Sequence, residues 1–253
     1  MINKQALKVL SIKNIAYQTY EMVLKSDTEL NLKPGQFIHI AVKGFMLRRP
    51  ISIADVNEID RSFTVIFKIF GDGTEALSNY HVGAEVDALM PLGTSYPIES
   101  LNIKQALLVG GGIGIPPLYY LGKKLKEKGV EVTSVLGYQS KEHVFYEDKF
   151  RELGETFVTT DDGSYGHSGF VTDVIRDSNL SFETYFSCGP TPMLQAVTSL
   201  LKDENGYISL EERMGCGVGT CYACVIPLKN NPNKSKKICK DGPVFDANEV
   251  LLG

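Results

Sequence analysis

Hydrophobic and polar positions follow one pattern through the first hundred residues of the chain. Short runs rich in β-branched and aromatic residues are separated by Pro-Gly and Gly-rich turns. These runs predict strands at residues 36–42, 62–70 and 85–90. Short strands with frequent turns are typical of an antiparallel barrel or sandwich. We therefore predict an N-terminal β-barrel over residues 1–100.

Between residues 101 and 205, short apolar runs alternate with longer amphipathic stretches. The apolar runs predict strands at 106–109, 130–136, 156–160 and 184–187. The other stretches predict helices at 116–128, 145–153, 169–176 and 191–202. Strands that alternate with helices indicate βαβ units around a parallel sheet. The second predicted domain is therefore a Rossmann-like α/β domain with a parallel sheet.

The last part of the chain, residues 206–253, is rich in glycine and cysteine and is too short to fold without a staple such as a metal centre. Its four cysteines are Cys216, Cys221, Cys224 and Cys239. The x4 and x2 spacing of the first three matches the plant-type [2Fe–2S] arrangement. Structural zinc sites favour two pairs of closely spaced ligands. We predict a small [2Fe–2S] subdomain, with structural zinc or free thiols as the alternatives.

A hairpin is predicted between the third and fourth cysteines. Residues 225–228 read as an outgoing strand and residues 237–240 as the return strand, with a turn signal at 230–235. A hairpin of this kind would bring Cys239 beside Cys224. The lysines at 234, 236 and 237 are then expected at the hairpin tip, as a solvated loop or a docking patch.

Composition and charge exclude several classes of protein. The chain has 253 residues and a net charge of −4, without a long basic run, which argues against nucleic acid as a partner. The first residues do not read as a signal peptide, and no segment approaches the roughly 18 apolar residues that a membrane span requires. We expect a soluble, cytoplasmic protein with neither a membrane nor a nucleic-acid partner.

One candidate cofactor motif lies in the β-rich domain. In the segment Arg48-Arg-Pro-Ile-Ser-Ile-Ala-Asp55, Arg49 and Ser52 are three residues apart across an extended, proline-stiffened stretch. Guanidinium and hydroxyl groups there can both face a pyrophosphate and a flavin. A second segment, Phe67 to Thr74, ends in a Gly-rich turn whose backbone N–H groups can hold phosphate. The alternatives are an exposed basic turn and an ordinary hairpin turn.

A glycine-rich turn follows the first predicted strand of the α/β domain. It spans Leu108 to Pro117 and opens a helix, so that backbone and helix N-terminus can approach a pyrophosphate. The standard G-x-G-x-x-G pattern is not met, because position 115 is Ile. At the end of the second strand, residues 137–140 carry no arginine for a 2′-phosphate, which favours NADH over NADPH. The turn at 161–166 lies at the same sheet edge or is a plain surface turn.

These motifs carry a family resemblance. The R-x-x-S segment, the later G-x-G-T turn, a P-L-G segment and the following βαβ domain are similar to the ferredoxin–NADP reductase superfamily. With the RRPISIAD, GGGIG-PP, DGSYG, SCGPTPM and ERMGCG-G-C-AC segments, essentially the whole chain resembles the electron-transfer subunits of class 1B, NAD-dependent dihydroorotate dehydrogenases. The resemblance implies FAD and one [2Fe–2S] cluster as cofactors and NAD(H) as substrate.

Site residues follow from the motifs and the resemblance together. The FAD set is Arg49, Pro50, Ile51, Ser52, Phe67, Lys68, Ile69, Gly73 and Thr74. The NAD set is Gly110, Gly111, Gly112, Gly114, Cys188, Gly189 and Pro190. Cys188 is read as packing by the nicotinamide, or as an ordinary buried cysteine at a strand end. The four histidines are scattered and are expected to be structural, and no catalytic residue is assigned.

The resemblance also implies a division of labour. Electrons would pass from NADH through FAD to the cluster, and then to an FMN-containing catalytic subunit that oxidises dihydroorotate to orotate in pyrimidine (UMP) biosynthesis. The complex would be a heterotetramer of two plus two subunits. One alternative is the flavin and iron–sulfur subunit of an NAD(P)H:ferredoxin or sulfide-linked oxidoreductase. An alternative of another class is a zinc-stabilised, nucleotide-binding regulatory module.

Overall fold

The computed structural model describes residues 2–252, which begin with a closed antiparallel barrel. The barrel order is β1-β2-β5-β4-β3-β6, and a short helix α1 connects β5 to β6. The elements are β1 Asn3–Ala16, β2 Thr19–Lys25, β3 Phe37–Ile40, β4 Arg49–Asn57, β5 Ser62–Lys68, α1 Asp72–Ser78 and β6 Glu85–Leu92. Alternate residues of β6 point into the buried core, as the period-2 pattern requires. The predicted barrel is confirmed.

The second layer is a seven-stranded sheet flanked by helices. Its strands are β7 Gln105–Gly111, β8 Glu131–Tyr138, β9 Glu155–Thr160, β10 His167–Ser168, β11 Thr184–Cys188 and β12 Gly206–Ser209, followed after the cysteine segment by an antiparallel edge strand, Val244–Asp246. The helices are α2 Ile115–Glu127, α3 Glu147–Arg151, α4 Val171–Asp177 and α5 Thr191–Leu200, with 3-10 turns at Gly112–Gly114 and Lys141–His143. The predicted parallel α/β domain is confirmed.

The cysteine segment forms a hairpin and one helical turn. Strand β13 Val225–Leu228 pairs with β14 Asn231–Lys237, and helix α6 Ile238–Asp241 follows directly. The edge strand β15 Val244–Asp246 then pairs with β12, which completes the order β10-β9-β8-β7-β11-β12-β15. Two strands of the sheet, β12 and β15, thus lie beyond residue 205, where we expected the α/β domain to end.

Three local predictions were wrong in detail. Cys239 lies in α6 and not in a return strand, because the Asp241 carboxylate accepts a hydrogen bond from Lys237 N at 2.8 Å and turns the chain. Residues 231–235 belong to β14, so the lysines lie along that strand and not at the hairpin tip. Helix α3 is shorter than predicted because Tyr146, with φ of +63°, starts it late.

The two domains meet along helix α2. The Tyr120 side chain is buried in the barrel core, and its hydroxyl donates to the Leu32 carbonyl at 2.8 Å. Lys123 on the same helix pairs with Asp55 of β4 at 2.6 Å. These contacts fix the α/β domain against the strand that carries the predicted FAD motif. Within residues 2–252, no helix combines the length and apolar character needed to cross a bilayer.

Candidate redox site

A cavity of about 920 Å³ lies between the barrel, the glycine turn and the segment that precedes the first of the predicted cluster cysteines. Eight of the nine residues predicted for FAD line it: Arg49, Pro50, Ile51, Ser52, Phe67, Lys68, Gly73 and Thr74. Ile69 does not line it, and its backbone N–H instead donates to the Gln18 carbonyl at 2.8 Å. The structure therefore brings two separate sequence motifs to one surface.

Arg49 and the Gly-rich turn are in direct contact. A Cβ placed on Gly73 would lie 1.9 Å from Arg49 Nη2, so only glycine leaves room for the guanidinium there. The guanidinium carbon also lies 4.9 Å from the Phe45 ring centroid, within cation–π range. The turn that we predicted leads into helix α1, and Thr74 Oγ1 accepts from Phe70 N and donates to Gly71 O, both at 2.9 Å.

Several lining residues were missed by sequence reasoning. They are Phe37, Phe45, Met46, Leu47, Arg48, Ile66, Phe70, Gly71, Asp72, Ile113, Leu210, Glu211, Glu212, Arg213, Met214 and Pro243. Ile113 belongs to the glycine turn, and residues 210–214 lead into the cysteine loop, so both motifs gave an adjacent signal. Pro243 gave none, because its place at the cavity depends on the return of β15 to the sheet.

The two predicted nucleotide motifs meet at the carboxyl ends of neighbouring parallel strands. Gly110 on β7 is the register partner of Cys188 on β11. A Cβ on Gly111 would lie 2.5 Å from the Met193 sulfur, so the glycine turn and the start of α5 are packed closely. Gly112 has φ of +52° and no neighbour within 4 Å of an added Cβ, so its backbone faces open space. Such a backbone can be approached by a phosphate.

Cys188 and Glu211 are two titratable residues that lie near each other at the cavity. Cys188 is fully buried, and burial raises the pKa of its thiol well above the usual range, which keeps it protonated. Glu211 lines the cavity and is exposed at its edge, and partial desolvation by the surrounding protein raises the pKa of its carboxyl to about 7. Burial also raises the pKa of the Tyr96 hydroxyl well above its usual range, although the Ser209 side chain acts in the opposite direction.

The four predicted cluster cysteines are brought together as two pairs. Cys216 Sγ and Cys221 Sγ are 3.3 Å apart, and the Cys239 thiol lies beside that of Cys224. Burial opposes ionisation of Cys216, but donors from Thr220 and from the backbones of Cys221 and Val218 lower its pKa to about 5. Burial and the neighbouring Cys224 raise the pKa of Cys239 to about 12. In the described part of the chain, no three His, Cys, Asp or Glu side chains converge as ligands of a single ion.

His39 joins the barrel to the cysteine loop. It is fully buried on β3, and a Cβ placed on Gly217 would lie 2.3 Å from its Nδ1. Desolvation lowers the pKa of His39, and hydrogen bonds of the ring to the backbones of Arg48 and Cys216 oppose that shift only in part. Sequence reasoning gave all four histidines a structural role, because nothing local indicates that this ring faces residues 216–217.

Two family models match the chain. The iron–sulfur cluster binding domain of dihydroorotate dehydrogenase B matches residues 211–251, and the oxidoreductase NAD-binding domain matches residues 108–199. Among solved structures, one described as an NADH-dependent reduced ferredoxin-NADP oxidoreductase, studied for flavin-based electron bifurcation, has a TM-score of 0.88 and 30% identity over 97% of this chain and 90% of that chain. The cytochrome b5 reductase domain of Ulva prolifera nitrate reductase, at 19% identity and a TM-score of 0.68, covers 79% of this chain and 93% of that chain and shows the fold alone.

Two full-length curated relatives carry the same name. The protein of Shouchella clausii (strain KSM-K16) is 48% identical over 97% of both chains, and that of Bacillus mycoides (strain KBAB4) is 49% identical over 100% of both chains. Each is named as the electron transfer subunit of dihydroorotate dehydrogenase B (NAD(+)). The fold, the paired cysteines and these matches agree, and the chain belongs to the family of electron transfer subunits of NAD-dependent dihydroorotate dehydrogenase B.

Proposed function

We propose that this chain carries electrons between NAD(H) and a catalytic partner through bound FAD and one [2Fe–2S] cluster. The observation that carries the proposal is the meeting of three segments at one cavity. These are the Arg49–Ser52 stretch of β4, Ile113 of the glycine turn, and residues 210–214, which lead into Cys216. A group held there has the nucleotide edge of the sheet on one side and the cysteine loop close by.

The cavity fits a flavin in its chemistry. Its lining combines aromatic and aliphatic side chains with a few polar groups, which is the usual composition of a cofactor site. Arg49 supplies a fixed guanidinium suited to a pyrophosphate, and Ser52 and Thr74 supply hydroxyl groups. We assign FAD to the eight predicted residues that line the cavity and leave Ile69 out, because its contact is with the barrel backbone.

NAD(H) is assigned to the joined glycine and SCGPTPM motifs. Gly110, Gly111 and Gly114 permit close packing against Ile115, Met193 and Cys188, and Gly112 offers open backbone. Cys188, Gly189 and Pro190 form the opposite wall of the same sheet edge. Because residues 137–140 contain no arginine, we propose NADH as the substrate in preference to NADPH.

The cluster is assigned to Cys216, Cys221, Cys224 and Cys239. Two thiol pairs suit a two-iron cluster with two thiolates on each iron, and donors around Cys216 favour its ionised form. When bound, FAD takes up a hydride and releases electrons singly, which links a two-electron nicotinamide to a one-electron cluster. The chain's own contribution is to hold both groups and to keep the Cys188 thiol protonated beside the cavity.

The proposed partner is the FMN-containing subunit that oxidises dihydroorotate to orotate, in a cytoplasmic heterotetramer of two plus two. Its support is the name shared by full-length relatives. The test is anaerobic purification of the chain alone and with that partner, with assays for flavin, iron, zinc and acid-labile sulfide. We expect a flavin spectrum, a rhombic signal in electron paramagnetic resonance (EPR) after reduction, and orotate formation only by the pair. Zinc without sulfide would reject the cluster, and dihydroorotate oxidation by the isolated chain would reject the division of labour.

A second candidate is the flavin and iron–sulfur subunit of an NAD(P)H:ferredoxin oxidoreductase. The 30% identical solved structure described above, with its TM-score of 0.88, favours keeping it. The two candidates differ in the acceptor that couples to NADH oxidation. Rapid reduction of ferredoxin by the complex, without coupling to orotate or dihydroorotate, would favour the second candidate.

A further inference from the structure

The cysteine segment differs in charge from the rest of the chain. Residues 213–240 contain six lysine and arginine side chains and no aspartate or glutamate, whereas the whole chain has a net charge of −4. Lys236 is paired with Glu249, and the other cations are partly or fully exposed: Arg213, Lys229, Lys234, Lys237 and Lys240. An acidic subunit thus has one basic segment, which is complementary to a surface rich in carboxylates.

Two of these lysines flank a single turn of the cysteine loop. Lys237 Nζ donates a hydrogen bond to the Gly219 carbonyl at 2.7 Å. The aliphatic chain of Lys240 lies against the same glycine, where an added Cβ would be 2.6 Å from Lys240 Cδ. Both side chains are therefore held beside the stretch from Cys216 to Cys221, which carries two of the predicted cluster ligands.

An exposed aromatic ring lies next to this turn. Tyr222 is 75% exposed, and Lys237 Nζ lies 4.2 Å from the centre of its ring, within cation–π range. Val225, the register partner of Lys237, is 42% exposed. Exposed tyrosines with a rigid ring and a basic neighbour are the residues that anchor protein–protein interfaces. We call Tyr222, Val225, Lys237 and Lys240 the cysteine-loop patch.

The position of the patch favours an electron acceptor as its occupant. Cys216 and Cys221 are only half-buried, whereas Cys224 and Cys239 are buried, so the first pair lies nearer the surface. Because Tyr222 follows Cys221 directly, a protein that covers this ring comes close to the predicted cluster. A second copy of this chain holds the same redox groups and so offers no driving force for net electron flow.

We propose that the cysteine-loop patch is the docking surface for the catalytic partner, with Tyr222 as the anchor that the partner buries and Lys240 as a cation that faces partner carboxylates. Lys237 holds the ring of Tyr222 and the Gly219 turn in place. The inference rests on the proposed function, which supplies the partner. Burial of the anchor mainly slows dissociation, and the exposed cation mainly speeds association.

The first experiment measures the dissociation rate of the cofactor-loaded chain from the FMN-containing partner. Tyr222→Ser should dissociate about 30-fold faster, as expected for loss of an interface hot spot. Tyr222→Phe keeps the ring and should stay close to wild type. Ile59→Ser is the matched control, since Ile59 is 94% exposed on the barrel, and it should leave the rate unchanged. Iron assays verify that each variant is loaded.

The charge is tested through the association rate at low and high salt. Lys240→Glu should slow association at low salt, and the difference should shrink as salt screens the charge. Lys13→Glu makes the same change of net charge at an exposed position of β1 and is the matched control. Equal slowing in the two variants would show that net charge alone acts, which contradicts the role of Lys240.

A third measurement uses only the wild-type complex and so does not depend on folding of the variants. A carbodiimide joins lysine amines to carboxylates in contact, and mass spectrometry locates the links. We expect a link from Lys240 to a partner carboxylate. No such link, links from Lys240 to a second copy of this chain, or an unchanged dissociation rate in iron-loaded Tyr222→Ser overturns the inference. Failure of the wild-type chain to bind the partner at all instead rejects the proposed function.

Discussion

Gly114 lies directly against the backbone of Cys188: a Cβ on Gly114 would be 2.5 Å from both the carbonyl carbon and the carbonyl oxygen of Cys188. These residues come from two motifs that are far apart in the sequence. Their contact brings the glycine turn and the SCGPTPM segment to one edge of the sheet, next to the cavity. The proposed nucleotide site therefore depends on this backbone approach.

Gly114→Ala should destabilise the α/β domain and abolish reduction by NADH. The collision is with backbone that cannot rotate away, so we expect a cost of about 3 kcal/mol, at the upper end for overpacking. Gly112→Ala is the matched control in the same turn, because its Cβ meets nothing and only its positive φ costs about 1–2 kcal/mol. Chemical denaturation measures both variants. An equal loss in the two would contradict the importance of the Gly114 contact.

Gly217→Ala should lower both stability and iron content. Its Cβ would enter the His39 ring, and its φ of +72° strains an alanine by about 1–2 kcal/mol. Gly44→Ala carries the same backbone strain at φ of +88° but meets no atom within 4 Å. Iron and sulfide assays together with denaturation compare the two. We expect Gly44→Ala to keep full iron content, and equal iron loss in both variants would show that the ring contact is unimportant.

Glu211 should make stability depend on pH. Its pKa rises from 4.5 to about 7 on folding, so the folded protein holds the proton more tightly than the unfolded chain. Stability from this group is therefore complete below about pH 4.5, falls as pH rises, and levels off above pH 7. Glu211→Gln removes this pH-dependent loss of stability. The free energy of unfolding of the variant should therefore match that of wild type at pH 4.5 and exceed it at pH 8.

The size of this effect will be modest, because solvent reaches Glu211 at the cavity edge and screens its charge. Denaturation midpoints at several pH values give the measurement, and Glu212→Gln is the neighbouring control for removal of one negative charge. A variant that is less stable than wild type at pH 8 would contradict the raised pKa.

Tyr146→Phe should weaken the contact between the barrel and the α/β domain. The Tyr146 hydroxyl donates to the Glu21 carboxylate of β2, and Lys149 Nζ lies 3.7 Å from the centre of the Tyr146 ring. Loss of a hydrogen bond to a charged group costs about 1.5–3 kcal/mol. We expect that loss in denaturation and a several-fold slower flavin reduction by NADH in stopped-flow experiments. Tyr165→Phe, whose bond to Glu147 stays within one domain, should leave the reduction rate unchanged.

Local signals were enough to predict the barrel, the parallel sheet and the cysteine hairpin. Alternation of buried and exposed positions in β6 and the apolar run of β7 are properties of neighbouring residues, which a sequence displays directly. The prediction of a return strand at 237–240 was wrong because the Asp241 carboxylate accepts a hydrogen bond from Lys237 N and a helical turn begins there. A competing hydrogen bond of this kind has no periodic signature.

Residues that were missed depend on tertiary contacts. The His39 ring contacts Gly217, which is far away in the sequence. Pro243 lines the cavity only because β15 pairs with β12. Strands β1 and β2 were also not predicted, since many of their positions are polar and half exposed in the structure. Their pairing is decided by the closed barrel and not by their own composition.

The edge strand β15 has a consequence for how this subunit matures. Residues 210–243, which include the β13–β14 hairpin, α6 and all four proposed cluster cysteines, form a single insertion between the paired strands β12 and β15. Binding of iron and sulfide in that insertion therefore also helps β15 to pair with β12 at the edge of the seven-stranded sheet. Under iron starvation, we expect newly made copies in which β15 is not paired with β12. Such copies are more open to proteolysis. The supply of iron would then set the amount of the subunit as well as its cluster content.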